Sequence, residues 1–386
     1  MSVPEKKVYL DNAATTRVRE TVIAKMQEAL THAYGNPSSS HGFGRTAKTA
    51  IETARKTIAR YIGAHPSEIV FTSGGTEADN MILRSAVRDL EVRHIITSKI
   101  EHHAVLHTVA DLEAQYGISV SYVDLDARGN PEMDHLETLL QGNDAKTLVS
   151  LMHVNNEVGN IAPIAQIANS CRAHGALFHS DTVQSIGHFE WDVQQVPIDF
   201  MAAAAHKFHG PKGVGFAFIR KNSGIKPFIS GGSQERGIRG GTEAMHNIVG
   251  LETAFIEAYE HLTAERDYVS ELKRYFIHEL GNAVPGVFFN GHSGDMEKST
   301  YTLVNVCLPI AAQKALLLLF HLDIKGIACS KGSACQSGSD AGSHVLAELQ
   351  TAEARQRPSI RFSFSKYNTK EELDYVVAVL KDFIAN

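Results

Sequence analysis

The sequence predicts an α/β protein with a mostly parallel seven-stranded sheet covered by helices, and a smaller α+β domain. Short apolar runs alternate with helix-length amphipathic stretches from about residue 66 onward, which is typical of parallel sheets with crossover helices. A second observation is that the pattern becomes less regular beyond about residue 282, which predicts the smaller α+β domain. The predicted strands are residues 68–71, 93–97, 118–123, 147–152, 176–178, 199–203 and 214–219.

The helices follow from the intervening stretches. Periodicity predicts helices over residues 76–87, 104–116, 132–140 and 164–174, then a long helical segment over 244–282. The chain closes with a strand at 359–363 and a helix whose capping box is formed by Thr369 and Glu372. Since 386 residues exceed one ordinary core, we expect a large domain over 15–258 and a small domain made of 1–14 and 259–386.

Composition excludes several classes of protein. A formal net charge of -6 without a basic run argues against nucleic-acid binding. The first ten residues carry no apolar signal region, and no apolar run approaches the roughly 18 residues that span a bilayer. The four cysteines are too sparse for a disulfide scaffold. These features predict a cytoplasmic, enzyme-sized globular protein.

Lys207 and Asp181 are the most informative residues. Lys207 follows a buried-looking strand, where desolvation favours the neutral amine, and a neutral amine can condense with an aldehyde. Asp181 follows the run at 176–178 and would project from the carboxyl end of a neighbouring strand. Together they meet the needs of a pyridoxal phosphate site, an aldehyde partner and a pyridinium anchor. A solvated loop lysine and a helix-capping aspartate are the alternatives for each residue alone.

A glycine turn follows the strand at 68–71. Gly75 and Thr76 lie where a helix begins, and free N–H groups at such a point bind anions. Many strand–turn–helix junctions look the same, but the Gly-x-Gly-x-x-Gly pattern of dinucleotide sites is absent here. A single phosphate is the better ligand beside Lys207 and Asp181.

Other polar residues follow the remaining strand ends. His102 could stack on a planar ring and transfer protons. A metal site is the alternative for the histidines, but adjacent histidines do not point the same way and the spacing typical of zinc is missing; we therefore predict no metal. Asn156 could hydrogen-bond a ring substituent or serve as an ordinary turn residue. The histidines considered for the metal alternative are His102, His103, His107 and His206.

Cys335 lies among glycine and small residues, which predicts an exposed, mobile loop. An exposed thiol in a reducing compartment is a liability unless the thiolate has a function. Cys307 lies among aliphatic residues and is expected to be buried and inert. Cys329 is six positions from Cys335, unlike the spacing of zinc or redox pairs. We favour Cys335 as a single nucleophile and Cys329 as structural, with a sulfur-resolving role as its alternative.

These residues resemble those of the NifS-like cysteine desulfurases, pyridoxal phosphate enzymes of the class V aminotransferase family and of fold type I. The resemblance covers nearly the whole chain. The motifs that carry it are YLDNAATT at 9–16, GNPSS at 35–39, FTSGGTE at 71–77, EH at 101–102, HVNNE at 153–157, DTVQ at 181–184, HK at 206–207, GSAC at 332–335 and IRFS at 360–363.

The resemblance implies a role for each matching position. Lys207 resembles the Schiff-base lysine, Asp181 the pyridinium partner and His102 the stacking histidine. Arg361 is similar to the arginine that pairs with the substrate carboxylate, and Cys335 to the cysteine that accepts sulfur. Amides near the ring hydroxyl are implied at Asn156, which also lies near substrate, and at Gln184. Phosphate contacts are implied at Gly75, Thr76, His206 and, from the other subunit of a homodimer, Thr242.

The implied activity is removal of sulfur from L-cysteine, giving L-alanine and a persulfide on Cys335 for an acceptor protein. Lys207 would move the Cα proton, and His102 would serve the substrate thiol. The destination would be iron–sulfur cluster or thio-cofactor biosynthesis. One departure is Ala204, which stands where the family commonly has a phosphate-binding serine; one lost hydrogen bond is worth roughly 1 kcal/mol. The alternatives are a selenocysteine lyase, a class V aminotransferase and a non-catalytic scaffold.

Overall fold

The computed structural model describes residues 6–142, 145–311, 314–331 and 342–385. Its largest sheet has seven strands in the order β2-β8-β7-β6-β5-β3-β4. β8 runs antiparallel to both of its neighbours, and every other adjacent pair is parallel. The predicted mostly parallel sheet is therefore confirmed. Its strands are β2 (Ile69–Thr72), β3 (His94–Thr97), β4 (Ser119–Tyr122), β5 (Thr147–Ser150), β6 (Leu177–Asp181), β7 (Phe200–Ala204) and β8 (Gly215–Ile219).

The central strands are apolar because helices cover both faces of the sheet. Every residue of β7 is buried, and alternate residues enter different hydrophobic clusters. Met201 and Ala203 face one cluster, whereas Phe200 and Ala202 face the other. A strand buried on both faces reads as a continuous apolar run, which is why the sequence located these strands without alternation.

Helices form the two layers that cover the sheet. α1 and α2 pack against α7 on one side, and α3 and α4 pack together on the other. The helices are α1 (Glu20–His32), α2 (Gly42–Tyr61), α3 (Gly75–Asp89), α4 (His103–Tyr116), α5 (Met133–Gln141), α6 (Ile164–Ala173), α7 (Met245–Glu260), α8 (Leu262–Ala283), α9 (Ala315–Ile324), α10 (His344–Leu349) and α11 (Lys370–Ala385).

Two sequence expectations about helices can be compared directly. The long segment expected at 244–282 is divided at His261 into α7 and α8, because the backbone there leaves the helical region with φ −105° and ψ 8°. The capping box before α11 is confirmed. The Glu372 amide donates to Thr369 Oγ1 at 3.3 Å, and the Thr369 amide donates to Glu372 Oε2 at 3.2 Å.

A second region has its own sheet and its own hydrophobic cluster. β10 (Leu303–Cys307) pairs antiparallel with β12 (Ser359–Ser363) and with β9 (Phe288–Phe289). Near the amino terminus, β1 (Val8–Tyr9) pairs with β11 (Ile327–Ala328). The cluster draws on α8, α11 and these strands, and it includes Val8 and Leu10. The amino-terminal segment therefore packs with the carboxyl-terminal third of the chain.

No helix among the described residues is both long enough and apolar enough to cross a membrane.

Candidate active site

A cavity of about 310 Å³ opens at the carboxyl ends of the parallel strands. It lies where β6 ends at Asp181 and where the chain turns after β7 toward Lys207, which is the usual place for ligands in open α/β sheets. Most of the sequence-predicted residues line it: Gly75, Thr76, His102, Asn156, Asp181, Gln184, His206, Lys207 and Arg361.

Two predicted residues do not line this cavity. Thr242 is exposed and is absent from the cavity wall of its own chain. Cys335 lies outside the described residues, so its predicted exposed loop stays a prediction.

Lys207 stands at the end of a short 3₁₀ turn (Ala205–Lys207) that directly follows β7. The half-buried side chain reaches across to the amino-terminal segment. Its Nζ donates to the carbonyl oxygens of Ala13 at 2.6 Å and Ala14 at 2.9 Å. Two backbone carbonyl oxygens therefore hold the amine in the cavity wall.

Asp181 is buried and accepts a hydrogen bond from the Val183 amide at 2.9 Å. Burial, reinforced by the nearby Asp79 carboxyl, raises the pKa of Asp181 to about 6, and His102 opposes that rise. A carboxylate that is costly to keep ionised is stabilised by a cationic partner. The site therefore favours a protonated ring nitrogen beside Asp181.

Asp79 and His179 form a buried pair behind Asp181 that sequence reasoning missed. His179 Nε2 lies 3.3 Å from Asp79 Oδ1, and both side chains are at most 1% exposed. Burial raises the pKa of Asp79 to about 8 and lowers the pKa of His179 to about 4. Asp79 also lines the cavity. Asp79 lies one turn after Gly75 in α3 and therefore on the same face of the helix. That spacing is the feature of the sequence from which Asp79 could have been predicted to face the site.

One end of the cavity is suited to an anion. Gly75 and Thr76 begin the 15-residue helix α3, whose amino-terminal N–H groups have no partner within the helix. A Cβ on Gly75 would lie 2.4 Å from Val183 Cγ2, so only glycine fits this packing. His206 lies at the same end; burial, followed by the charges of nearby lysines, lowers its pKa to about 4.

Ala204 also lines the anion end of the cavity. An ideal Cβ on Gly75 would be 3.9 Å from Ala204 Cβ. The departure seen in the sequence therefore falls in the wall of the cavity, where a hydroxyl would have added a donor.

His102 is the residue before α4, and its Nδ1 accepts a hydrogen bond from the Ala104 amide at 3.1 Å. The neutral ring therefore carries its proton on Nε2. Burial lowers the pKa of His102, the Asp181 carboxylate opposes this shift, and Lys207 adds to it. His102 is thus a neutral ring in the cavity wall.

The opposite end of the cavity contains Arg361, at the centre of β12. Its Nη1 donates to the Asn156 carbonyl oxygen at 2.7 Å, and its Nη2 lies 2.9 Å from Asp11 Oδ1. Gln184 Nε2 donates to the Ala13 carbonyl oxygen at 2.9 Å. Asp11 and the Ala13–Ala14 carbonyls were not singled out from the sequence, because their contacts join residues 171 to 350 positions apart in the chain.

The described cysteines are poor nucleophiles. Cys171 and Cys307 are buried, and burial raises the pKa of both thiols. Burial also raises the pKa of Cys329 to about 12, and the Asp11 carboxylate adds to the shift. None of the three described thiols forms a thiolate readily at neutral pH.

Histidines crowd one side of the cavity without forming a metal site. The His103 ring lies 4.8 Å from that of His107 and 4.4 Å from that of His344. Within the described ranges, no group of three or more His, Cys, Asp or Glu side chains is arranged to hold a metal ion. Of the four histidines considered from the sequence, three line the cavity: His102, His103 and His206. His102 and His206 have separate hydrogen-bond partners.

Comparisons with known proteins place these features in a family. The profile of the aminotransferase class-V family matches residues 8–376, and the chain belongs to that family. It is 41% identical over 382 residues to a protein named cysteine desulfurase IscS from Dictyoglomus turgidum, covering 98% of this chain and 95% of the relative. A protein of the same name from Methanosarcina thermophila is 41% identical over 387 residues, covering 100% of this chain and 93% of that relative.

Solved structures agree with these relatives. A NifS-like protein superposes with a TM-score of 0.89 at 36% identity, covering 98% of this chain and all of that chain. A structure described as SspA in complex with cysteine has a TM-score of 0.81 and 34% identity, covering 94% of this chain and all of the other. The predicted fold type and family resemblance are confirmed.

Pyridoxal phosphate is the cofactor of this family, and the cavity fits it. Lys207 offers the amine for an aldehyde, Asp181 the acid for a ring nitrogen, and the start of α3 the donors for a phosphate. Because Gly75 has no side chain, the start of α3 packs closely against Val183, whose amide donates to Asp181. Each part of the cofactor thus meets residues of matching chemistry.

Proposed function

We propose that this protein is a cysteine desulfurase, which removes sulfur from L-cysteine with pyridoxal phosphate and produces L-alanine and a protein-bound persulfide. The observation that carries the proposal is the single cavity that contains Lys207, Asp181 and Arg361. It combines an amine, a ring-nitrogen partner and a carboxylate-binding guanidinium. The full-length similarity to proteins named cysteine desulfurase supports the choice of substrate.

Bound pyridoxal phosphate would supply an aldehyde for the substrate amine and an electron sink for the electron pair that remains at Cα when its proton is removed. Arg361 binds the substrate carboxylate, since its planar fork can make two parallel hydrogen bonds to it. Lys207 moves the Cα proton. In the structure its amine donates hydrogen bonds to the Ala13 and Ala14 carbonyl oxygens. Asp181 holds the proton on the ring nitrogen.

His102 is the residue best placed for the substrate thiol. Its neutral ring presents the Nε2 proton while Nδ1 stays bound to the Ala104 amide. Because Nε2 already carries a proton and the Nδ1 lone pair is engaged, the neutral ring, whose pKa burial lowers, donates a hydrogen bond to the substrate sulfur. The remaining cofactor and substrate contacts proposed by position are those of Asn156, Gln184, His206, Gly75 and Thr76.

Cys335 is the proposed sulfur acceptor. Its thiolate attacks the substrate sulfur, an S–S bond forms, and the C–S bond breaks; the carbon keeps the electron pair and takes a proton to give alanine. The described residues on either side support this role. Ser330 exchanges two backbone hydrogen bonds with Arg361, and His344 lines the cavity. Five residues from Ser330 to Cys335 span at most about 18 Å.

A homodimer is part of the proposal. Thr242 is exposed and is not among the residues that line the cavity of its own chain, which supports a phosphate contact to the cavity of a second copy. Large apolar side chains are exposed on α1 and α2, with Leu30 at 56% and Phe43 at 57%. The exposed rings of Tyr34 and Phe43 lie 5.5 Å apart, and exposed apolar patches are typical of subunit interfaces.

Two further assignments complete the proposal. We place residues 15–258 in a large domain and residues 1–14 with 259–386 in a small one, supported by the separate hydrophobic clusters. The persulfide sulfur passes to an acceptor protein in iron–sulfur cluster or thio-cofactor biosynthesis, in the cytoplasm. The three described cysteines are all free thiols, as expected in a reducing compartment.

The proposal is tested by measuring alanine and sulfide released from L-cysteine with a reductant, for the wild type and a Cys335→Ala variant. A desulfurase releases the two products in equal amounts, and the variant loses both activities. Cys329→Ala is the matched control and is expected to retain turnover. Turnover that survives Cys335→Ala would indicate a lyase or an aminotransferase, and a strong preference for selenocysteine would indicate a selenocysteine lyase.

A further inference from the structure

The positively charged side chain of Arg361 is almost completely buried. Its side chain is 2% exposed, yet it belongs to the cavity wall. A buried guanidinium needs a counter-charge and satisfied donors. Asp11 supplies the counter-charge at 2.9 Å, and the Asn156 carbonyl oxygen accepts from the other terminal nitrogen at 2.7 Å.

The position of Asp11 is set by the backbone on both sides of it. Ser363 lies two residues after Arg361 on β12, and it forms an isolated parallel bridge with Asp11. The Ser363 amide donates to the Leu10 carbonyl oxygen at 2.8 Å, and the Ala13 amide donates to Ser363 Oγ at 2.8 Å. Asn12 Nδ2 donates to the Ser363 carbonyl oxygen at 2.8 Å. The Asp11 carboxylate therefore has little freedom relative to Arg361.

The same segment also contacts two other residues of the cavity wall, Lys207 and Gln184. The Ala13 carbonyl oxygen accepts from Lys207 Nζ at 2.6 Å and from Gln184 Nε2 at 2.9 Å. Residues 11–14 thus hold both the Arg361 guanidinium, through Asp11, and the Lys207 amine, through the Ala13 and Ala14 carbonyl oxygens. A group held by rigid backbone places its partner more accurately than one on a free side chain.

We propose that Asp11 is a positioning residue, which holds the guanidinium of Arg361 in the orientation that receives the substrate carboxylate. This inference rests on the proposed function, in which Arg361 binds that carboxylate. Asp11 and the Asn156 carbonyl fix the two terminal nitrogens, so the plane of the fork is set before substrate arrives. Asp11 itself does not touch the substrate.

A competing interpretation is that Asp11 weakens substrate binding instead of supporting it. If Asp11 mainly competes with the substrate for Arg361, its removal would free the guanidinium and tighten L-cysteine binding. If Asp11 orients Arg361, its removal weakens the binding of any ligand with a carboxylate. A ligand without a carboxylate is unaffected under the orienting role.

The experiment uses the purified protein with its cofactor bound and compares wild type, Asp11→Asn, Arg361→Gln and the double variant. Dissociation constants for L-cysteine and for cysteamine, which lacks the carboxylate, are measured from changes in cofactor absorbance. KM and kcat for L-cysteine are measured in parallel. Asp124→Asn, at a carboxylate that is 77% exposed, is the control for a surface substitution.

We expect Asp11→Asn to raise the dissociation constant and KM for L-cysteine about tenfold, the loss that one charge-assisted hydrogen bond implies, with a smaller change in kcat. Cysteamine binding should be unchanged. In the Arg361→Gln background, Asp11→Asn should add nothing, because the residue acts through the arginine. Asp11→Glu, which keeps the charge but not the length, should lie between wild type and Asp11→Asn.

The inference is overturned if Asp11→Asn leaves L-cysteine binding unchanged or tightens it, or weakens cysteamine equally. It is also overturned if the Asp11 and Arg361 effects add in the double variant. A failure of the proposed function is distinct: Arg361→Gln would then leave L-cysteine binding intact, or the wild type would release no alanine. If Asp11→Asn fails to fold, the cysteine-to-cysteamine ratio in Asp11→Glu decides in the same way.

Discussion

Gly75→Ala tests whether the packing of one methyl group shapes the anion end of the site. An ideal Cβ at this position lies 2.4 Å from Val183 Cγ2. Carbon atoms in contact prefer about 3.5–4.0 Å, so at least about 1.1 Å of movement is required. The Gly75 backbone is not in the left-handed region, so the effect of alanine is steric rather than conformational.

Val183 cannot yield easily. Its branched side chain has one strongly preferred rotamer, and its amide is held by Asp181 Oδ1 at 2.9 Å. The strain therefore moves the start of α3 or the Asp181 strand end. Overpacking of this kind costs about 1–3 kcal/mol in unfolding free energy. Either movement increases the separation between the start of α3, which binds the phosphate, and Asp181, which binds the ring nitrogen. We therefore expect cofactor affinity to fall about tenfold or more.

The assay is urea denaturation of the cofactor-free protein, followed by titration with pyridoxal phosphate monitored by absorbance. The double variant Gly75→Ala/Val183→Ala removes the contact and should recover most of the lost affinity. Gly281→Ala, where a Cβ meets open space, should not destabilise. If Gly75→Ala keeps wild-type stability and affinity, or if Val183→Ala gives no recovery, the steric reasoning is wrong.

Two further predictions concern buried charges. Burial lowers the pKa of Lys273 from 10.5 to about 7, so the unfolded chain binds more protons than the folded chain between pH 7 and 10. The unfolding free energy of the wild type should therefore rise across that range by up to about 1.4 kcal/mol per pH unit. Denaturation midpoints measured against pH should show this slope in the wild type, and Lys273→Met should lose it. Glu235→Gln removes the buried carboxylate 2.6 Å from Arg55, which is 2% exposed and keeps only the partly exposed Glu52 carboxylate at 3.1 Å. Unfolding free energy should fall by up to about 3–5 kcal/mol, whereas Glu28→Gln on an exposed pair should change little.

The sequence predicted the parts of the fold that have a local cause. Each central strand reads as an apolar run because both of its faces are buried, and each strand end was located within a few residues. The strand predicted at 199–203 is Phe200–Ala204, and the final capping box forms as expected. In the second region only β12 was predicted. β1, β9 and β11 are two residues long and form only by pairing with other segments, and the buried five-residue strand β10 was missed.

The same division applies to the site. Lys207, Asp181 and Gly75 could be located because strand ends of a parallel sheet meet at one edge. The ion pair of Asp11 with Arg361 joins residues 350 positions apart, and no periodicity connects them. The Asp79–His179 pair depends on the face that α3 turns toward β6, which helix length alone does not determine.

The central claim is that this cavity delivers sulfur to Cys335. The most direct test is mass spectrometry of the purified protein after one equivalent of L-cysteine without reductant. We expect one added sulfur atom on the peptide that contains Cys335, together with one alanine, and neither product in a Lys207→Ala variant. Alanine formed without sulfur on that peptide, or sulfur on Cys329 instead, would contradict it.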